Sequence, residues 1–419
     1  MIIRRITLVL LTLLVGLLPI RPAVAQSEVP EIVGGAAILV DCFNGQILYE
    51  KEAYKRMYPA STTKILTAII ALENNQLSET VKVPREACLV GGSSIGLQEG
   101  ELISLRDLMY ALLLNSGNDA ATAIAVHVGG SVSGFVEMMN QKAIELSAFS
   151  SNFKNPHGLS DEEHYTTAYD LYLIADYAMK HPVFREIVAT DISEIQRTHP
   201  EAQTKLANSN KLLSRHSEVI GVKTGYTDMA GQCLVSAAIK QERELIAVVL
   251  ASEGQLIYDD SMALLNYGFD RFSLQSLFEE RDFVVSVPVK NGRLDKVDLM
   301  AGGSIYYYQP VDGTVTVEKR IDFTKPTIAP LHAGEKLGEL IIIDGRREVS
   351  RVDLYCLTDV PKALIAYVPK ALIVSWKYAL GLVVFLVMVR VINGIRRAKR
   401  RQAFLRRRKM NNYVYSHIK

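Results

Sequence analysis

The 419-residue chain carries 47 Lys and Arg against 45 Asp and Glu, and its net charge of +2 is sharply segregated. Three cations in the leader, two in a late apolar stretch and ten in the tail stand without a single acid, so the body between leader and stretch holds −13. Such a body excludes simple attraction to nucleic acids or other anionic polymers, and eight His with four Cys in no H-E-x-x-H or paired C-x-x-C spacing exclude a zinc site, so no metal or cofactor is expected.

In chain order, Met1–Ala25 reads as a signal peptide. Arg4 and Arg5 precede an apolar run from Ile6 to Ile20, and Ala23-Val24-Ala25 is a small-x-small cleavage site. The run is shorter than the roughly 18 residues that span a bilayer. The exported body then begins at Gln26 and exceeds the usual size of one domain. Residues 26–272 are assigned to a first domain, which opens with a hairpin from Ala36 to Lys51 turning at Asn44-Gly45.

Tyr58-Pro59-Ala60-Ser61-Thr62-Thr63-Lys64 follows, and Ser61 opens the run Ile65, Leu66, Ala68, Ile69, Ile70, Ala71, Leu72. A helix apolar nearly all round is buried. Its first turn offers unsatisfied N–H groups and the positive end of the dipole to developing negative charge. At a spacing of three, Ser61 and Lys64 share one helical face, which suits a nucleophile and its base. An ordinary Lys titrates near 10.4, so half-neutralising it at pH 7 takes about 4.6 kcal/mol. Burial and a second cation, for which Lys223 is the candidate, act in that direction.

A helix over Leu105 to Leu114 is broken by Asn115-Ser116-Gly117-Asn118-Asp119 before a second apolar helix from Ala121 to Val128. A polar loop between buried helices suits a clamp, with Ser116 relaying a proton and the Asn118 amide holding a substrate carbonyl. A second S-x-x-K, Ser151-Asn152-Phe153-Lys154, lies in a polar stretch without an apolar helix and reads as a chance match. His157 sits between Pro156 and Gly158 and reads first as a turn residue.

Glu218 to Thr227, Gly231 to Lys240 and Glu244 to Ser252 read as three antiparallel strands, the last two joined at Gln241-Glu242-Arg243. The first carries Lys223-Thr224-Gly225. Lys223 supplies a cation for a substrate carboxylate, and side-chain-free Gly225 lets a substrate backbone lie against the strand. The Tyr226 N–H pairs with that of Ser61 as an oxyanion hole. Composition allows about one or two S-x-x-K by chance but only about 0.1 of each tripeptide. The ordered set of three therefore predicts an active-site serine enzyme.

Tyr267 to Phe272 closes this first domain. Residues 273–361 alternate in short segments, Phe283 to Val289, Gly313 to Val317, Lys336 to Ile343 and Val349 to Leu354, as a small β-sandwich does. Residues 371–395 are mostly apolar, interrupted by Lys377 and Arg390 near the ends, and read as a transmembrane helix. Nine Lys or Arg between Arg396 and Lys409 place the tail, 396–419, in the cytoplasm and the body outside. Cys42, Cys88, Cys233 and Cys356 allow three full pairings, none selected by sequence, and are read first as small buried residues.

From Glu31 to Val360 the chain resembles the low-molecular-mass penicillin-binding proteins that act as serine-type D-alanyl-D-alanine carboxypeptidases. The three motifs carry the resemblance, with Ser104-Leu105-Arg106-Asp107-Leu108, Phe153-Lys154-Asn155-Pro156-His157-Gly158-Leu159 and His164-Tyr165-Thr166-Thr167-Ala168-Tyr169-Asp170-Leu171. It implies an α+β, β-lactamase/transpeptidase-like catalytic domain, an antiparallel sheet flanked by helices, then a small all-β domain and the membrane helix. It also implies removal of the terminal D-alanine from the peptidoglycan stem pentapeptide through an acyl-enzyme on Ser61, and acylation of that serine by β-lactams. Ser116, Asn118 and Lys223 match the family's catalytic pattern position for position. Ser116-Gly117-Asn118 is similar to the carboxypeptidases rather than to the Ser-Asp-Asn of class A β-lactamases, and a deacylating Glu motif is absent; both features count against rapid penicillin hydrolysis. A D,D-endopeptidase, a weak β-lactamase and a non-catalytic sensor or scaffold stand as alternatives.

Overall fold

The computed structural model describes residues 29–416 apart from 200, 312, 314–316, 346 and 365–369. The signal-peptide reading of Met1–Ala25 lies outside the described residues. The chain divides into two compact units: residues up to Leu274 with the segment Tyr308–Val315, and Gln275–Tyr307 with Thr316 onward.

The first unit is built on five strands, β1 (Ala36–Asp41), β2 (Ile47–Lys51), β3 (Val219–Thr227), β4 (Gly231–Lys240) and β5 (Arg243–Ser252). Their order is β2-β1-β5-β4-β3, and every neighbouring pair is antiparallel. Gly45 takes the left-handed conformation (φ 72°) that the hairpin turn needs. At the β4–β5 turn Gln241 and Glu242 both hold positive φ, 53° and 65°, as a tight hairpin demands even without glycine.

All six residues of β1 are buried, which is why it reads as a continuous apolar run. Ala36, Ile38 and Val40 pack with a helical layer formed by α1 (Lys64–Asn74), α2 (Leu105–Leu113), α3 (Asn118–Gly129) and α4 (Ala168–Met179). Ala37 and Leu39 face the other way, onto α5 (Leu256–Arg271). Residues Lys64 to Ala71 of α1 are buried without exception, so this helix is pinned at the centre of the layer. The returning segment joins the same unit through Tyr308. Gln46 Nε2 donates to its carbonyl and Gln46 Oε1 accepts from its N–H, both at 2.7 Å. The Arg243 guanidinium lies 3.9 Å from its ring centroid.

The second unit holds a five-stranded antiparallel sheet ordered Phe283–Pro288, Lys296–Ala301, Arg347–Cys356, Lys336–Asp344, Glu318–Phe323. Leu299, Leu337, Leu340, Ile342 and Leu354 form its core. Three expected strands fall on this sheet. The expected Gly313 to Val317 segment lies mostly outside the described residues, and a strand occurs at Glu318–Phe323 instead. Lys296–Ala301 was not foreseen. The last helix, α6 (Lys370–Ser416), contains the expected 371–395 stretch and continues through the basic tail. Its part Ser375–Arg407 is, by length and composition, apolar enough to cross a membrane.

Candidate active site

Ser61 lies on a single 3₁₀ turn, Ala60–Thr63, that leads into α1 at Lys64. Ala60 holds φ 48°, a strained conformation for a non-glycine residue, and thereby sets the direction in which Ser61 leaves the chain. The Lys64 side chain is fully buried. Its Nζ lies 2.8 Å from Ser61 Oγ and donates to Asn118 Oδ1 and to the His157 carbonyl, each at 2.7 Å. The last two partners offer only lone pairs. A neutral amine has two N–H groups and one lone pair, so once the two acceptors are served the lone pair is left for the one partner able to donate, Ser61 O–H. Burial first, then the Lys223 ammonium, hold this amine well below its ordinary range.

Each of those acceptors is itself held. Asn118, at the start of α3, donates from Nδ2 to Gly91 O and from its backbone N–H to Ser93 O, both at 2.7 Å. Asp119 fastens the same loop, accepting from Ser94 Oγ, Ile95 N–H and Leu97 N–H at 2.5, 3.0 and 3.1 Å. The buried Arg197–Glu101 pair closes the far end of that loop at 2.5 Å, with Arg197 also donating to the Ile95 and Gly96 carbonyls. The His157 carbonyl is aimed by its neighbours. Thr67 Oγ1 donates to Pro156 O at 2.6 Å, and a methyl on Gly158 would lie 1.8 Å from Ala60 O, so only glycine fits. The His157 imidazole is pushed down to about 3, by burial first and then by Lys64 and His164, and is neutral throughout the working range.

Ser116 takes φ 60° in the turn between α2 and α3, and its side chain is largely buried. Its hydroxyl makes no hydrogen bond to Lys64 or to any other described residue. On β3, Lys223 is buried, donates to its neighbour's carbonyl, Thr224 O, at 3.0 Å and is pushed down to about 7 by burial. Thr224 Oγ1 is 2.7 Å from Ser209 Oγ, a partner that no sequence motif announces. Gly225 lies flat against the Ser61 turn: a methyl there would sit 2.8 Å from Ser61 N and 3.0 Å from Thr62 N. Tyr226 points out, 57% exposed, with its hydroxyl donating to Asp228. Ser61 and Asn118 thus meet at the Lys64 amine, and the charge of Lys223 on β3 reaches that amine.

The second S-x-x-K is spent on structure. Ser151 Oγ is engaged with Thr166 Oγ1 and Asp170 Oδ2, each at 2.8 Å, and Lys154 pairs with Glu163. No disulfide joins the four cysteines; Cys233 and Cys356 are buried as expected, whereas Cys88 is exposed on a short helix and Cys42 is half-buried. Among the described residues no group of three or more His, Cys, Asp or Glu side chains converges as a metal site.

A family model described as D-alanyl-D-alanine carboxypeptidase matches residues 23–254, and one described as the C-terminal domain of penicillin-binding protein 5 matches residues 272–362. The chain is similar to the D-alanyl-D-alanine carboxypeptidase DacF of Bacillus subtilis, 32% identical over 73% of this chain and 80% of the relative. It is 30% identical to DacD of Escherichia coli over 79% of this chain and 88% of that one. Among solved structures, penicillin-binding protein 5 from Haemophilus influenzae aligns with 27% identity and a TM-score of 0.65, covering 80% of this chain and 99% of the other.

Proposed function

The chain belongs to the D-alanyl-D-alanine carboxypeptidases of the low-molecular-mass penicillin-binding protein family, and on that premise we propose that it removes the terminal D-alanine from peptidoglycan stem pentapeptides with Ser61 as nucleophile. Ser61 Oγ gives its proton to Lys64 Nζ and attacks the carbonyl of the penultimate D-alanine. The backbone N–H groups of Ser61 and Tyr226 take the oxyanion, and Gly225 leaves room for the substrate backbone. Lys223 and Thr224 receive the terminal carboxylate, and Asn118 holds the acyl amide. As the C–N bond breaks, the proton passes to the departing D-alanine amine, with Ser116 as relay once substrate draws its free hydroxyl in. Water then hydrolyses the ester on Ser61. A β-lactam enters the same way, but its leaving amine stays tethered to the acyl group.

One observation carries the reading: a buried amine whose two hydrogens are consumed by fixed acceptors, leaving its lone pair for Ser61. The leader and α6 support export, with the catalytic unit on the outer face and the basic tail inside. Incubating the enzyme with a pentapeptide ending in D-Ala-D-Ala and with cross-linked dimers, and measuring free D-alanine, tests it. Release from the pentapeptide is expected; cleavage of the dimers alone makes the protein an endopeptidase. Ser61→Ala abolishes labelling by fluorescent penicillin and Ser151→Ala leaves it intact; persistent labelling of the first variant removes Ser61 from the mechanism.

A further inference from the structure

His164 carries none of the reacting atoms, yet its buried ring joins the two segments that meet at the Lys64 amine. Lys154 N lies 3.1 Å from Nδ1 on one side, and Thr63 Oγ1 lies 2.9 Å from Nε2 on the other. A backbone N–H only donates, so Nδ1 is the acceptor, and the neutral ring carries its proton on Nε2 and donates it to the Thr63 hydroxyl. The fold thereby selects one tautomer. Burial pushes the imidazole down to about 4, so the ring is neutral in the working range. Phe153 meets it edge-to-face, with ring centroids 5.5 Å apart, and fills the space beside it.

Thr63 ends the turn that presents Ser61, and Lys154 opens the segment whose His157 carbonyl takes one of the Lys64 protons at 2.7 Å. Asn155 folds that segment tightly, its Oδ1 accepting from the His157 and Gly158 N–H groups at 3.3 and 2.7 Å, so a shift of Lys154 is passed on to the His157 carbonyl. The two segments press together here: a methyl on Gly158 would lie 2.9 Å from Thr63 Oγ1. Thr67 ties Pro156 to α1, and His164 ties Lys154 to the Ser61 turn, so the carbonyl is held from both. Without that acceptor one Lys64 N–H is free to turn towards Ser61, and the lone pair is no longer reserved for the hydroxyl proton.

We propose that His164 is a positioning residue for the acylation step: as the Nε2–H imidazole it fastens the Lys154–Gly158 segment to the Ser61 turn and keeps the His157 carbonyl on the Lys64 amine. The inference rests on the serine-enzyme reading and adds to it a residue that acts through Thr63 and Lys154.

Rapid-quench acylation of the full chain by fluorescent penicillin at varied concentration separates the acylation rate constant k2 from the Kd of the complex that precedes it. His164→Asn keeps an amide oxygen near the place of Nδ1 for the Lys154 N–H but is too short to reach Thr63. Thr63→Val keeps the side-chain shape and loses the hydroxyl. Each lowers k2 by about 10- to 100-fold with Kd unchanged. The two together lower it no further than one alone, because both cut the same link. Thr63→Ser keeps the hydroxyl and with it the wild-type k2. Where His164→Asn fails to fold, Thr63→Val set against Thr63→Ser makes the same comparison. Wild-type k2 in either of the first two variants, losses that multiply in the double variant, an equal fall in Thr63→Ser, or a loss carried by Kd alone overturns the proposal. A wild-type chain that penicillin does not acylate removes the serine-enzyme reading itself, and the proposal with it.

Discussion

Lys64 and Lys223 are both buried, and in the proposed mechanism their protonation sets how the enzyme responds to pH. In the proposed mechanism Lys64 acts as the neutral amine, and it is held below its ordinary range by burial and by Lys223. Lys223 is the proposed cation for the substrate carboxylate, and it is pushed down to about 7 by burial. kcat/KM for a peptide with a free carboxylate therefore follows a bell, its basic limb set by loss of the Lys223 proton near 7 in the free enzyme. Lys223→Gln removes the second cause of the Lys64 shift, so the acid limb of penicillin acylation moves to higher pH; an unmoved limb would show that Lys223 does not act on Lys64. The folded state of wild type binds fewer protons than the unfolded one between about 7 and the ordinary lysine range, so these amines make stability rise with pH across that window. Gly225→Ala places a methyl against the Ser61 and Thr62 N–H groups. Stopped-flow acylation by a β-lactam should slow by about 10² to 10³, the loss that follows removal of one oxyanion donor. At this scale the Ser61–Lys64 contact was legible because three residues of helix fix it. The His157 carbonyl lies 93 positions from Lys64, and Ser209 reaches Thr224 across a connection no local pattern encodes.

The loop from Gly91 to Glu101 is the element that decides where Asn118 points. It has little regular structure of its own, and its shape is imposed by the Asp119 carboxylate at one end and the Arg197–Glu101 pair at the other. Both side chains of that pair are fully covered. Arg197→Ala leaves a buried carboxylate alone, a loss of about 3–5 kcal/mol, which lowers the thermal midpoint by about 10 °C in a domain of this size. Differential scanning fluorimetry checks this, and an unchanged midpoint would show the pair to be dispensable. Asp119→Ala frees the loop and slows penicillin acylation by about 10- to 100-fold, with partial recovery in Asp119→Asn. The β1–β2 hairpin and β3 to β5 were readable because alternation, apolar runs and turn residues are local signals. Lys296–Ala301 alternates correctly, with Val297, Leu299 and Ala301 inward, but it is short; Phe283–Pro288 pairs with it from just upstream, while its other partner, Arg347–Cys356, lies some 50 residues on.

At the scale of the whole molecule, the proposed reaction and the proposed membrane attachment fall on separate parts of the chain. The candidate site residues lie in the first unit, and α6 is the described helix long and apolar enough to cross a bilayer. Deleting residues 371–419 should move penicillin labelling from the membrane pellet to the soluble fraction at an unchanged acylation rate. Labelled protein that still sediments with membranes would place the anchor elsewhere.

The return of Tyr308–Val315 to the first unit makes that unit discontinuous in sequence. A clone stopped after Leu274 would strip Gln46 of both its amide partners and bare the underside of Arg243. Conversely, a protease nick between Gln275 and Tyr307 would leave the two fragments held by non-covalent contacts, the Gln46–Tyr308 amide pair among them, and copurifying until denatured.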